Sequence, residues 1–106
     1  MTTEADNFLA DVTVERWQPH VGSWFAIYWD GAGQEDLQLI EAKAFFREAP
    51  TDTRVPFSLL FRAASRDFPI PQGIYLLTHP AFPAMELFLV PVGPDSSGIC
   101  FQVIFS

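Results

Sequence analysis

One cysteine, two histidines and six Lys or Arg in 106 residues leave few ways to build a chemical site. The lone Cys100 forbids an internal disulfide and any zinc site made of cysteines, and it lends no support to an oxidising compartment. Ile99 and Phe101 flank it with no base or cation near in sequence, which is the setting of a small buried apolar residue rather than a reactive thiol. His20 and His79 lie far apart and form neither HxH nor HExxH, so no metal site and no cofactor is expected. No apolar run approaches the roughly 20 residues that cross a bilayer. The opening MTTEADNF lacks the basic and apolar regions of a secretory signal, which makes the cytoplasm the expected compartment. Against the six cations stand 13 Asp and Glu, for a net charge of −7. That balance repels phosphate backbones and anionic lipid headgroups, so neither nucleic acid nor membrane is expected as a partner.

What is plentiful is apolar surface. Eleven Phe, three Trp and two Tyr supply ample core, and 49% of the residues are hydrophobic. A chain of this length fits one domain and buries roughly two-thirds of the surface its unfolded form exposes. In so small a protein, that much apolar material leaves some of it uncovered by the chain itself. Residues 1–106 are therefore read as a single β domain, with 1–10 a loose polar arm anchored only by Phe8 and Leu9.

The pattern predicts one short helix over 13–20, with Thr13 as cap, Trp17 as its foot in the core and Gly22 just past its end. Strands follow at short spacing. Residues 23–30 alternate Phe25, Ile27 and Trp29 against Trp24, Ala26 and Tyr28, and GAGQ then suits a hairpin. The return strand over 35–46 changes phase, with Leu37 and Leu39 on one face but Ala42, Ala44 and Phe46 on the other. That change predicts a bulge near Ile40 and Glu41. Further strands are predicted over 56–62, 74–79, 85–95 and 99–105, separated by EAPTDTRVP, ASRDFPIPQG, HPAFPA and PDSSG.

The densest apolar stretch is MELFLVPVGPD, residues 85–95. Leu87 and Leu89 take one face and Phe88, Val90 and Val92 the other, so both faces are expected to be covered, by the chain or by a second protein. Pro91 cannot donate to a ladder and marks an edge or a bulge. The whole reads as mainly β, about six antiparallel strands in a meander closed into a small barrel or sandwich.

The segments HVGSWF, PFSLLFR, PQGIYLLTHP, MELFLVPVGPD and the closing FQVIF, in that order and spacing, resemble a family of small bacterial domains known as domain of unknown function number 6916. The resemblance covers nearly the whole chain and rests on core and turn residues. It implies a fold rather than an activity, with no assigned catalytic residue. Some members are encoded near tail-collar-like phage proteins, which implies an assembly role. HPAFPAM departs from the pattern, where a glycine is expected between the two strands; Phe82 and Pro83 make a stiffer, greasier connection.

Individual side chains offer little chemistry. His79 is the best candidate base, with Tyr75 and Glu86 on adjoining strands, but a histidine before proline at a strand end is ordinarily a turn residue bonded to backbone. Ser58 sits in no GxSxG elbow. Glu35, Asp36 and Glu41 read as a solvated rim rather than a facing acid pair, and GAG is hairpin chemistry rather than a phosphate cradle. Arg54 and Arg62 are expected to pair with carboxylates at the surface. Two readings result. The first is a non-enzymatic assembly or protein-interaction domain, engaging a protein partner or a further copy through Trp24, Tyr28 and Phe88. The second is a small apolar-ligand-binding or catalytic β-barrel using His79 and Tyr75, which requires an interior cavity.

Overall fold

The computed structural model describes residues 12–29, 33–45, 55–64, 71–95 and 98–105. It is a closed antiparallel barrel of six strands: β1 (Trp24–Trp29), β2 (Gly33–Ala44), β3 (Phe57–Ala63), β4 (Gly73–His79), β5 (Phe82–Asp95) and β6 (Gly98–Phe105). A helical turn α1 (Val14–Trp17) runs into a 3-10 turn (Gln18–His20) ahead of β1. Thr13 stands at the N-cap in extended conformation, but its side chain makes no capping bond, contrary to its expected role.

The strand order around the barrel is β1-β2-β3-β6-β5-β4, with β1 pairing β4 to close it. This corrects the single meander read from short spacings. Two three-stranded meanders, β1–β3 and β4–β6, join edge to edge along β3–β6 and β1–β4, so the consecutive strands β3 and β4 are not neighbours. Closure gives each strand a partner on both sides over part of its length.

Three ladders shift register, the β4–β5 one between Leu77 and His79 beside the turn, and the other two stand where a local rule is broken. On β2 the register shifts between Leu39 and Glu41, leaving Ile40 as the extra residue. Leu37 and Leu39 point inward before it and Ala42 packs on the core after it, which accounts for the phase change in the sequence. On β5 the shift falls between Pro91 and Gly93. Pro91 has no N–H to offer a ladder there, and Gly93 takes φ of 104°, a left-handed conformation that a Cβ disfavours.

Inside, Phe25, Ile27, Leu37, Leu39, Leu59, Phe61, Leu77, Leu89 and Phe101 are almost wholly buried and fill the narrow interior. Because neighbouring strands are antiparallel, the start of β1, the end of β4, the start of β5 and the end of β6 share one rim. Trp17 closes that rim: it stacks on Phe82 at 4.5 Å and lies against Phe25 and Phe105 at 6.0 and 5.9 Å. Its foot is thus in the core, as its place in the short helix suggests. Phe8, Leu9 and Phe46 lie outside the described residues.

The chain itself covers only one of the two apolar faces of strand β5. Leu87 and Leu89 are buried, but Phe88 and Val92 are each 50% exposed, because a closed barrel supplies no second layer outside. Leu89→Ala is therefore expected to cost about 2–5 kcal/mol, whereas the adjacent Phe88→Ser should cost about 1 kcal/mol or less. Urea denaturation of the two variants at unchanged m-value checks the contrast.

Candidate functional site

The rim closed by Trp17 gathers both histidines. His79 ends β4, and its ring lies 4.3 Å from Phe25, 5.3 Å from His20 and 5.4 Å from Phe82. Its Nδ1 accepts the backbone N–H of Ala81 at 2.9 Å, and its Nε2 meets Ser23 Oγ at 2.7 Å. A backbone N–H only donates, so the neutral ring must carry its proton on Nε2, which then donates to the serine oxygen. This polarity is the reverse of a nucleophile–base pair, where an unprotonated Nε2 takes the hydroxyl proton and a carboxylate holds Nδ1–H. Arg16 reinforces the turn from α1: its Nη2 donates to Ala81 O at 2.5 Å and its guanidinium lies 4.3 Å above the Phe82 ring. The cluster ties the helix, the β4–β5 turn and the start of β1 together.

Tyr75 is elsewhere. It points inward four residues back along β4, about 13 Å from His79 at strand rise; it packs edge-on to Trp29 at 5.8 Å and donates its hydroxyl to Pro71 O at 2.5 Å. Burial pushes its phenol above the ordinary value. Glu86 pairs with Leu76 on the outer face, so the expected grouping of His79, Tyr75 and Glu86 does not form. Ser58 lies between inward Phe57 and Leu59, yet it is buried rather than outward in solvent. Cys100 is buried, as its flanks indicate. Among the described residues no group of three or more His, Cys, Asp or Glu is placed to hold a metal, and no helix is long and apolar enough to cross a membrane.

The outer wall of β1, β4 and β5 is the other feature. Trp24 and Phe88 are 52% and 50% exposed, and Tyr28 is exposed too. Register joins Tyr28 and Phe88 through β4: Tyr28 sits opposite Leu76, and Ile74, 63% exposed, sits opposite Phe88, while Trp24 stands four residues from Tyr28 along β1, beyond half-buried Ala26. Ile74 and Leu76 were not singled out from the sequence. Alternation in GIYLLTH separates them from Tyr75 and Leu77, but it does not say which pair is inside. Two open grooves run over this wall. One, of about 490 Å³, is bounded by Tyr28, Trp29, Ile74, Leu76 and Glu86. The other, of about 530 Å³, lies beside Trp24, Asp36, Thr78 and His79.

Desolvation, then the neighbouring His20 and then Arg16 hold the His79 pKa below the ordinary 6.5. The folded state thus binds a proton at His79 less readily than the unfolded chain does. Its stabilising contribution is complete above that ordinary value and is lost as pH falls through the lower folded one, when protonated Nδ1 must release Ala81. The thermal midpoint is expected to drop on acidification below about pH 6.5, and His79→Gln should flatten this part of the profile. A wild-type midpoint that does not move over this range, followed by circular dichroism, would contradict the role given to the turn.

The family model for a domain of unknown function, DUF6916, matches residues 12–105. No curated protein and no solved structure matches the chain. The match runs from the residue before the Thr13 cap position to the end of β6, so it takes in the plugged rim and all six strands. The chain belongs to the DUF6916 family.

Proposed function

We propose that this barrel is a non-enzymatic protein-interaction domain that docks a protein partner on the outer wall of β1, β4 and β5. The observation that carries the reading is the exposed surface that register makes of Tyr28, Leu76, Ile74 and Phe88, with exposed Trp24 further along β1, on a barrel whose inward side chains are buried aromatics and aliphatics. Large aromatic side chains exposed together are enriched at interfaces, since each buries much area at low entropic cost. Contiguous apolar surface of this kind is uncommon on a monomer without a binding role.

Charge favours a different protein over a second copy. Strands β1, β4 and β5 contain no Lys or Arg, while Glu86 and the flanking Asp36 are exposed. Two such walls face to face would bring like charges together with nothing on either to offset them. The family resemblance implies an assembly setting, so the partner is read as a component of a multi-subunit structure of the phage-tail type. The ligand-binding alternative is less well supported: buried aromatic and aliphatic side chains fill the interior, and His79 and Tyr75 stand near opposite ends of β4.

A photo-crosslinking residue at position 28 or 74, expressed in the native cell, is expected to trap one defined protein. The same residue at position 43, on the exposed part of β2, should not. Light scattering over a dilution series should meanwhile report a monomer. Adducts distributed equally over the three positions, or none at all, would remove the interaction reading.

A further inference from the structure

The groove beside Glu86 has a composition that selects its occupant. Tyr28, Leu76 and Glu86 form a row across three paired strands, with Ile74 one step along β4 and Trp29 closing the end of β1. Each position makes a separate demand. A purely apolar side chain would cover Ile74 and Leu76 but would strip water from the Glu86 carboxylate and give nothing back. An acidic one would be repelled. A cation on an apolar stem answers all of them: methylenes against Ile74 and Leu76, positive charge at Glu86, and the same charge beside the Tyr28 ring. Between the two basic side chains, the planar guanidinium can lie on an aromatic ring and bond a carboxylate through two N–H groups, which an ammonium cannot do.

The chain offers no such group from the strands that build the groove, because β1, β4 and β5 carry neither Lys nor Arg. The composition recurs at the other end of the wall, where exposed Trp24 and the carboxylate of Asp36 border the second groove. We propose that the Tyr28–Trp29–Ile74–Leu76–Glu86 groove receives an arginine side chain of the protein partner. This rests on the interaction reading and adds the chemistry of the partner's anchoring residue.

Two blocked heptapeptides, identical except for arginine or its neutral near-isostere citrulline at the centre, test it by NMR titration of the whole nitrogen-15-labelled chain. The arginine peptide is expected to move the amide signals of Tyr28, Leu76 and Glu86, and to bind about tenfold more tightly than the citrulline peptide. Glu86→Gln, an exposed change that leaves the spectrum folded, should erase the difference between the two. Equal binding of both peptides, binding of neither, or signals that move elsewhere would overturn the proposal. Crosslinks confined to the wall with indistinguishable peptides would sink the arginine anchor and leave the interaction reading standing. Crosslinks off the wall would sink that reading whatever the peptides do.

Discussion

Closing six strands on one another gives each residue only two places to go, the filled interior or the solvent. Everything else in this molecule follows from that division. A sandwich could have laid a second sheet over Phe88 and Val92; a closed barrel cannot, so its apolar outer residues remain outside. The interior, in turn, is narrow enough that Phe25, Phe61, Phe101 and the inward leucines fill it. The same geometry that turns these side chains inward thus leaves the outer wall exposed.

The open rim left by closure is where the chain places its least regular residues. Trp17 supplies the bulk that stops it. Arg16, His20, Ser23 and His79 surround that indole's partner Phe82 with polar contacts that run between segments distant in sequence. A buried aromatic alone would allow the helix to slide; the bonds from His79 to Ala81 and Ser23 fix its bed. Both ring nitrogens of the histidine are engaged in this turn, with a polarity opposite to that of a nucleophile–base pair.

Much of the fold was legible because it is local. Alternation in WFAIYW and in ICFQVIF, the phase change around Ile40 and the ladder-breaking Pro91 each give their result within a few residues. The two seams between the meanders were not legible, since Ala26 meets Thr78 and Phe57 meets Phe105 through pairings that no neighbouring residue announces. The Ser23–His79 bond spans 56 positions for the same reason. For the wall, Trp24, Tyr28 and Phe88 could be assigned outward once their strand mates were taken inward. Ile74 and Leu76 needed the actual register, because a short apolar strand looks alike from both sides.

The seam between β1 and β4 is the shortest of the six ladders, with three residue pairs where β2 and β3 share seven. Native-state hydrogen exchange should therefore enter the barrel there first, through Ala26, Ile27 and Tyr28 and their mates on β4, by local opening well below the global unfolding energy. Tyr28 and Leu76 straddle that seam from the outside. Any protein seated on them holds two strands together across the join, and mass action then makes the opened form rarer as occupancy rises. A protein docked there would thereby act as a seventh element of the barrel, slowing exchange at residues it never touches.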